Sequence, residues 1–563
     1  MAYDFPPLKA PRTAGTLLRM LLAAAESPAT GPMVAQKMLT DIGIVDLRSV
    51  PGTESPELIP HPLNRAVTST GDSSPAMLAN QAAEAFGRGG RRGFGFVTAA
   101  DLVDAYVSKK LSPVDVARRF LEQRTASDQP DAVLRAFIAV QAETIFEMAR
   151  ASEARYSAGK PLSPLDGVPV AIKDEVDMQG YGTTGGTRFL GATPAEADSG
   201  VVARLRAAGA VLVGKTNMHE LGVGVTGINP HHGPARNPYD PSRCSGGSSS
   251  GSAVAVASGL CPVAVGADGG GSIRIPAALC GIVGLKPTFG RVTETGALPI
   301  CWSLAHIGPM GATVADVAVA FALMAGHDDD DPNTWDRPPV TFDNPNTQDL
   351  RGIRVGVYRP WFEDASSAVV KAAWAGVEAL QSKGAVVIDI ELPELVAVRS
   401  AHLVTFASEV VAARMQDTDA QKALYGLDLR LNLVLGKRLT ASDYVHAQRV
   451  RHRLLKSWQR VFDSVDVIAT PSTGQTASPI ATDALATGES NLELTDRVMR
   501  YAAAANLFGF PAISVPAGYD GGGLPAGLQL MGRAYEEGLL LRLAAAVEQV
   551  IERHKPRHYF PLL

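Results

Sequence analysis

Short apolar runs that alternate with helical patterns are the feature that most constrains the fold of this chain. Each run is too short for a helix and is rich in β-branched and small apolar residues. Strands separated by helices in this way are typical of an α/β protein whose sheet is covered on both faces. We therefore predict an α/β fold with a helix at 366–383 and with strands at 168–173, 210–214, 262–266, 353–358 and 385–390.

The N-terminal part of the chain shows a different pattern. A helix capped by Thr13 is predicted over 13–25, because apolar residues recur there at helical spacing, namely Ala14, Leu17, Leu18, Leu21, Leu22 and Ala25. A second helix is predicted to begin at Pro32 and to bury Val34, Met38, Leu39 and Ile42. These helices serve either as simple packing or as a lid or interface element.

The segment 50–95 is rich in Pro, Ser, Asn and Gly, and we interpret it as a wrapping or linking segment. Regular helices are predicted again at 98–109 and 113–125. We therefore divide the chain into an N-terminal extension, residues 1–97, and a catalytic domain, residues 98–563.

Composition excludes several classes of function. The chain has 52 Lys and Arg against 57 Asp and Glu, a net charge of −5, which argues against a nucleic-acid partner. Its 4 cysteines lie far apart, without CxxC pairs or histidines at ligand spacing, so we expect reduced thiols, no metal and no cofactor. Neither a secretory signal nor a run of about 18 apolar residues is present, and we expect a cytoplasmic protein.

Two motif matches are rejected on their context. Gly209, Gly214, Lys215 and Thr216 satisfy the P-loop pattern, but a predicted strand replaces the pliable loop between the glycines. The segment around Ser249 satisfies GxSxG, the nucleophile elbow of α/β hydrolases. The residues before it, NPYDPSRCSG, favour turns and cannot supply the strand that this elbow requires.

The densest chemical signal is the segment 244–288, CSGGSSSGSAVAVASGLCPVAVGADGGGSIRIPAALCGIVGLKPT. It contains two serine sites flanked by glycines, at 246–251 and at 269–272. Successive glycines let backbone N–H groups approach a substrate closely, as an oxyanion hole requires. Ser272 is therefore the better candidate for a nucleophile. A flexible serine linker is the alternative, but linkers do not alternate with apolar runs such as AVAVASGL.

A serine nucleophile needs a base, and no histidine in the sequence has a supporting motif. Lys173 ends the apolar run 168–172 and precedes Asp174. A lysine in such a position usually reaches the surface, and the segment alone leaves this alternative open. A buried lysine, in contrast, is disfavoured in its charged form, and a neutral lysine could deprotonate a serine.

Four sequence blocks occur in the order of one known family. They are GVPVAIKDEVDMQGYGTTGGT, CSGGSSSGSAVAVASGL, GADGGGSIRIPAALCGIVGLKPT and NLFGFPAISVPAGYDGGGLPAGLQLMG. In these blocks the chain resembles the amidase signature enzymes, and agreement runs from about Thr98 to the end. The resemblance implies a large twisted mixed sheet covered by helices on both faces, and hydrolysis of the C–N bond of carboxylic amides without a cofactor.

The resemblance also implies a Ser-cis-Ser-Lys triad. Ser272 would be acylated, Ser248 would bridge after a cis Gly247–Ser248 peptide, and Lys173 would be the base.

The resemblance further implies residues around the triad. The oxyanion hole would consist of the backbone N–H groups of Gly269, Gly270, Gly271 and Ser272. Ser249 would join the hydrogen-bond network, and Arg274 would brace the loop against Asp268. Substrate contacts are expected at Gly222 and Val223.

The glycine loop departs from the common family pattern. Where many members read GTDTGGS, this chain reads GADGGGS, with Ala267 and Gly269 in place of two threonines. This loop, the segment TNMHELG at 216–222 and the leucine-rich N-terminal helix most resemble the plant-type fatty acid amide hydrolases. The narrower resemblance implies N-acylethanolamines or primary fatty amides as substrates, N-terminal helices at the acyl entrance, a homodimer and peripheral contact with a membrane.

Three other functions are compatible with parts of this pattern. An amidase or esterase for aryl acylamides or carbamates would use the same triad, because the triad does not define the acyl group. A glutaminase-type subunit of a transfer-RNA-dependent amidotransferase shares the fold, but the N-terminal extension argues against it. A catalytically inactive binding scaffold is disfavoured by the intact Lys173, Ser248 and Ser272.

Overall fold

A large mixed sheet forms the centre of the protein. The computed structural model describes residues 3, 5–8, 10–56, 58–60, 74–87, 92–130, 133–342 and 349–563, and among them 11 strands are joined in this sheet. In spatial order the strands are β10 (Val386–Asp389), β9 (Arg354–Val357), β11 (Val467–Pro471), β14 (Pro525–Gly532), β13 (Ala512–Tyr519), β7 (Val283–Lys286), β8 (Ile307–Gly311), β6 (Val263–Ala267), β4 (Pro169–Lys173), β5 (Val211–Thr216) and β3 (Phe137–Ala139).

In the described part of the chain, two short strand pairs lie outside this sheet. β1 (Thr13–Ala14) pairs antiparallel with β12 (Glu489–Ser490), and β2 (Arg92–Gly93) pairs parallel with β15 (Glu552–Arg553). Both pairs connect the N-terminal part of the chain to its C-terminal part.

The predicted strands are confirmed as β4, β5, β6, β9 and β10 of the large sheet. β4 is parallel to both β5 and β6, whereas β6 is antiparallel to β8, so the sheet is mixed. β5 includes Gly214, Lys215 and Thr216, which confirms that the P-loop match is a strand rather than a phosphate loop. The prediction of an α/β fold with a large mixed sheet is confirmed.

Helices cover both faces of the sheet. On β14, Leu528 faces a helix that contains Gly376, while the preceding Gly527 faces a different helix that contains Ala278. Successive strand residues point to opposite faces, so these helices lie on opposite sides. The helices of the described residues are α1 (Gly15–Glu26), α2 (Gly31–Asp41), α3 (Pro75–Phe86), α4 (Ala99–Val107), α5 (Pro113–Ala126), α6 (Ala142–Ser157), α7 (Gly200–Ala207), α8 (Ser250–Ala257), α9 (Arg274–Leu279), α10 (Val314–Met324), α11 (Arg359–Phe362), α12 (Ser367–Ser382), α13 (Leu395–Ala413), α14 (Asp419–Leu424), α15 (Leu427–Gly436), α16 (Ala441–Val461), α17 (Leu492–Met499), α18 (Ala503–Phe508) and α19 (Glu537–Glu548).

The two N-terminal helices exist, but their buried faces are narrower than predicted. In α1, Leu18, Leu22 and Ala25 are buried, whereas Leu17 is 63% exposed. In α2, which begins one residue before Pro32, the buried apolar residues are Ala35 and Leu39, whereas Val34 and Met38 are half-buried. Each helix packs against the protein along one side only, so residues at the edge of the predicted stripe remain in contact with water.

The predicted cap of α1 is wrong. Thr13 makes no capping hydrogen bond with its side chain, because Thr13 and Ala14 pair with β12 and are held as a strand.

The segment 50–95 contains a helix that its Pro-, Ser-, Asn- and Gly-rich composition did not indicate. Residues 75–86 form α3, whose N-cap Ser74 accepts a hydrogen bond from the Met77 N–H, and α3 packs against α10. Residues 57, 61–73 and 88–91 of the predicted wrapping segment lie outside the described residues. The division of the chain at residue 97 stays a prediction.

Helix α13 is long and apolar enough to cross a membrane by length and composition, with a mean hydropathy of 1.4 over its most apolar window. However, 61% of that window is buried inside the protein. Polar side chains of α13 also find partners there: Arg399 pairs with Asp496 at 2.8 Å, and Glu409 accepts a hydrogen bond from Ser303 at 2.6 Å. We interpret α13 as a helix of the interior.

The topology of the sheet places two chemically important segments together. β4 ends at Lys173, and its parallel neighbour β6 ends at Ala267, immediately before the glycine loop 268–272. Because parallel strands present their carboxyl ends at the same edge of a sheet, Lys173 and this loop lie side by side.

Candidate active site

Lys173 and Ser248 form the buried centre of the site. Lys173 Nζ donates to Ser248 Oγ at 2.8 Å and to the Ala267 carbonyl at 3.2 Å, and both side chains belong to residues only 1% exposed. β4 is paired with a strand on each side, so Lys173 cannot reach the surface. The structure thus excludes the alternative in which this lysine is a surface residue.

The segment that carries Ser248 lies directly against the glycine loop. The Gly247–Ser248 peptide is cis, and Ser249 N–H donates to the Ser272 carbonyl at 3.2 Å. Ser249 Oγ donates to the Ala267 carbonyl at 3.2 Å. The Ala267 carbonyl therefore accepts hydrogen bonds from both Lys173 and Ser249. This shared acceptor connects the predicted base to the serine-rich segment.

Asp268 organises the loop that carries Ser272. Its buried carboxylate accepts hydrogen bonds from Ile273 N–H and from Arg274 Nε, at 3.1 and 3.0 Å. Burial by itself would raise the pKa of Asp268, but the attraction and the hydrogen bonds of Arg274 outweigh it and hold that pKa well below its usual range. The loop is therefore folded around a permanently charged carboxylate.

The backbone N–H of Gly271 is predicted to face the substrate, but in the structure it binds Asp268. Its N–H donates to Asp268 Oδ1 at 2.6 Å, and its φ of +114° is a conformation that glycine adopts without strain. Among the described residues, no partner is found for the backbone N–H groups of Gly269, Gly270 and Ser272. Of the four predicted donors, the Gly271 N–H is therefore already paired in this structure.

Glu175 is a neighbour of Lys173 that the sequence analysis missed. Its Oε2 lies 3.1 Å from Lys173 Nζ, and the two side chains are 9% and 1% exposed. β4 ends at Lys173, and Asp174 and Glu175 lie in a turn closed by the hydrogen bond from Val176 N–H to the Lys173 carbonyl at 3.1 Å. This turn brings Glu175 back to Lys173, and no pattern in the sequence indicated it.

Lys215, from the rejected P-loop match, stabilises the segment that follows Lys173. It is fully buried, donates to the Val176 carbonyl at 2.7 Å and lies 3.5 Å from Asp174 Oδ1. Burial lowers the pKa of Lys215, whereas the carboxylate of Asp174 raises it. Its role is structural, because Lys215 does not line the cavities that meet at Ser272.

His402 of α13 supports the glycine loop from outside. Its Nε2 lies 2.8 Å from the Gly269 carbonyl, which can only accept, so Nε2 carries the proton. Burial lowers the pKa of His402 to about 4, and the ring is therefore neutral near pH 7. No sequence pattern indicated this contact, because the two residues are 133 positions apart.

Two cavities meet at Ser272. Cavity A, of about 230 Å³, is lined mainly by apolar side chains and includes the predicted substrate residues Gly222 and Val223. Cavity B, of about 300 Å³, contains Lys173, Ser248 and Glu175. Ser272 and Gly222 line both cavities, so a substrate bound at Ser272 can place one end in each. The apolar lining of cavity A includes Phe5, Leu8, Leu39, Ile42 and Ile44 from the N-terminal segment and Leu395, Val398, Leu403, Phe406 and Val410 from α13.

Gly222 separates the two cavities, and a side chain there is expected to obstruct the reacting atoms. A Cβ at Gly222 would lie 3.5 Å from Ser248 Oγ and 3.6 Å from Glu175 Oε2. We expect Gly222→Ala to lower kcat/KM by about tenfold or more, because its methyl group occupies space beside Ser248.

Gly180→Ala is the matched control for this prediction. Gly180 also has a positive φ, +83°, but no atom of the residues that the structure describes lies within 4 Å of its added Cβ. Both variants should lose about 1 kcal/mol of stability from the backbone conformation, measured by thermal unfolding. Equal activity of the two variants would show that the space at Gly222 is irrelevant to turnover.

Comparison with known proteins places this site in a family. A family model described as Amidase matches residues 115–541. A fatty acid amide hydrolase of Arabidopsis thaliana is 37% identical, over 100% of this chain and 96% of the relative. A glutamyl-tRNA(Gln) amidotransferase subunit of Chloroflexus aggregans is 36% identical, over 82% and 98%. The solved native peptide amidase from Stenotrophomonas maltophilia superposes with a TM-score of 0.70 at 30% identity, over 82% and 98%.

The fold and these comparisons define an amide hydrolase of the serine hydrolase class. The chain belongs to the amidase signature family. The resemblance predicted from the four sequence blocks is thereby confirmed, and so is amide hydrolysis as the activity.

Proposed function

We propose that this protein hydrolyses amides with a long apolar acyl chain, of the N-acylethanolamine or primary fatty amide type. The observation that carries the proposal is cavity A, which begins at Ser272 and continues between apolar side chains of the N-terminal segment and α13. A long hydrocarbon chain gains free energy by leaving water for such a lining. The Arabidopsis relative with this activity in its name matches the whole chain, including the N-terminal residues that line cavity A.

The proposed cycle uses the residues of the predicted triad. Ser272 Oγ attacks the amide carbonyl while its proton passes to Ser248 and the Ser248 proton passes to Lys173, which acts as the base. The N–H groups of Gly269, Gly270 and Ser272 stabilise the oxyanion. The same relay returns a proton to the leaving amine, and water then hydrolyses the acyl-enzyme.

A pair of substrates separates this proposal from the aryl acylamide, carbamate and ester alternatives. Hydrolysis is measured in parallel on a long-chain N-acylethanolamine and on acetanilide. We expect a higher kcat/KM for the long-chain substrate, because only its chain fills cavity A. Good turnover of acetanilide with none of the long-chain amide would overturn the proposal.

The lining of cavity A provides a more local test. Ile42 lies at the C-terminal end of α2 and lines the cavity, whereas Met33 on the same helix is 70% exposed and does not. We expect Ile42→Trp to lower kcat/KM for a long-chain amide by about tenfold, with little effect on acetanilide. Met33→Trp should change neither value. A uniform loss on both substrates for Ile42→Trp would indicate damage to the fold rather than to an acyl site.

Two further alternatives have direct tests. A stable heteromeric partner that copurifies with the chain would support a role in a transfer-RNA-dependent amidotransferase; the Chloroflexus relative of this type matches only 82% of the chain. Failure of Ser272 to react with a fluorophosphonate probe would support an inactive scaffold.

We further propose that the protein is a homodimer. Leu17 and Met20 of α1 are 63% and 64% exposed, and burying them against a second copy would remove apolar surface from water. We expect sedimentation to report a dimer that Leu17→Glu and Met20→Glu weaken; an unchanged monomer would contradict this. Contact with a membrane and a cytoplasmic location stay predictions, and flotation with lipid vesicles tests the first.

A further inference from the structure

Cavity B is strongly acidic, in contrast to the apolar cavity A. Four carboxylates line it beside the predicted triad, and Lys173 is the only lysine or arginine among its described lining residues. A fifth carboxylate, Asp268, is neutralised by Arg274 at 3.0 Å. The four carboxylates are those of Glu175, Glu294, Asp330 and Asp331.

Glu175 presents an unused hydrogen-bond acceptor inside this cavity. The residue is 7% exposed, and its Oε2 accepts no hydrogen bond from any residue that the structure describes, although Lys173 Nζ lies 3.1 Å away. A buried carboxylate oxygen without a donor is costly unless a ligand or water supplies one. A Cβ at Gly222 would lie 3.5 Å from Ser248 Oγ and 3.6 Å from Glu175 Oε2. Both oxygens therefore border the same space beside Gly222, and the Glu175 acceptor lies near Ser248.

The remaining carboxylates extend the negative charge toward the outside. Asp331 is held in place by the N–H groups of Glu294 and Asn333, at 2.9 and 3.0 Å, and Asp330 is exposed. Burial raises the pKa of Glu294 well above its usual value, and the neighbouring Asp331 and Glu175 raise it further. Glu294 is therefore shifted toward its neutral form. Glu175 shares an ion pair with Lys173, so the uncompensated negative charge of the cavity comes from Asp330 and Asp331.

If the acyl chain occupies cavity A, as the proposed function requires, the other half of the amide faces cavity B. We propose that cavity B binds the amine part of the substrate and selects amine parts that donate hydrogen bonds and carry no negative charge. Primary amides, ethanolamides and cationic amines can donate a hydrogen bond to Glu175, whereas the carboxylate of an N-acyl amino acid is repelled by Asp330 and Asp331.

The test holds the acyl group constant and varies the amine part. kcat/KM is measured on the full-length protein for the lauroyl amides of ethanolamine, ethylenediamine and glycine. We expect the ethanolamine and ethylenediamine amides to exceed the glycine amide by about tenfold or more, with a smaller difference at high salt. Equal values, or a preference for the glycine amide, would overturn the proposal.

The acetyl amides of the same three amines distinguish a failure of the charge selection in cavity B from a failure of the fatty-acyl proposal. If no lauroyl amide is hydrolysed but the acetyl amides are, the fatty-acyl proposal fails while the acetyl series still tests the charge selection.

Two adjacent aspartates allow a matched comparison of variants. Asp330 lines cavity B, whereas Asp329 does not. The side chain of Asp329 is 97% exposed. We expect Asp330→Lys to narrow the ratio between the ethanolamine and glycine amides by about threefold, and Asp329→Lys to leave it unchanged. An equal change in both variants would show that net charge, rather than cavity B, sets the preference.

Discussion

Replacement of Ser272 by alanine is expected to abolish amide hydrolysis, with a loss of kcat of at least about 10³-fold. The substitution removes the hydroxyl that would form the acyl-enzyme. Its structural cost is small, because the contacts that hold the loop use the backbone carbonyl of Ser272 and the carboxylate of Asp268. The measurement is steady-state hydrolysis together with mass spectrometry after treatment with a fluorophosphonate, which should label the wild-type protein at Ser272 and leave the variant unlabelled.

Ser250→Ala is the control for this substitution. Ser250 belongs to the same serine-rich segment and is also buried. With the described residues its Oγ makes a single long hydrogen bond, 3.4 Å to the Asn217 carbonyl. Its loss should leave most of the activity intact. Substantial hydrolysis by Ser272→Ala, or equal losses in both variants, would remove Ser272 from the role of nucleophile.

Lys173→Ala is expected to lower kcat near pH 7 by about 10² to 10⁴-fold, the range that a general base contributes. In the proposed cycle Lys173 takes the proton that Ser248 relays, and hydroxide can take over that role as the pH rises. The rate of the variant should therefore increase with pH and recover part of the loss at high pH. A pH–rate profile of kcat measures this directly, and a flat profile of the variant would contradict the role of the lysine.

Lys215→Met is the control for Lys173→Ala, because it also removes a buried lysine but not one with a proposed role in the reaction. Lys215 is as buried as Lys173 but lies on β5, where it contacts Asp174 and the Val176 carbonyl. Its loss leaves a buried carboxylate without its cation and is expected to cost about 3 to 5 kcal/mol of stability, seen as a lower Tm. The shape of the pH–rate profile should stay that of the wild-type protein, because Lys215 does not line either cavity.

Much of the fold was predictable because its signals are local. The strands at Lys173 and Ala267 are short apolar runs, and the helices before Gly384 and after Ser112 carry caps and terminators within a few residues. Helix α3 was missed although Ser74 and Pro75 are good N-terminal signals, because the surrounding Pro, Ser and Gly residues suggested a linker. Leu17 was assigned to the wrong side of α1, because spacing alone does not show how wide a face the neighbouring elements cover.

The sequence by itself determined the α/β class, the glycine-flanked serines and the pair of segments that carry Lys173 and Ser272, since each depends on residues close together in the chain. Only the tertiary structure decided that Lys173 is buried against Ser248, that Glu175 faces the same cavity, and that Gly271 turns its N–H to Asp268. It also decided how the N-terminal segment and α13 together enclose cavity A. These contacts depend on the packing of segments that are distant in the sequence, and burial, charge and cavity shape exist only once those segments meet.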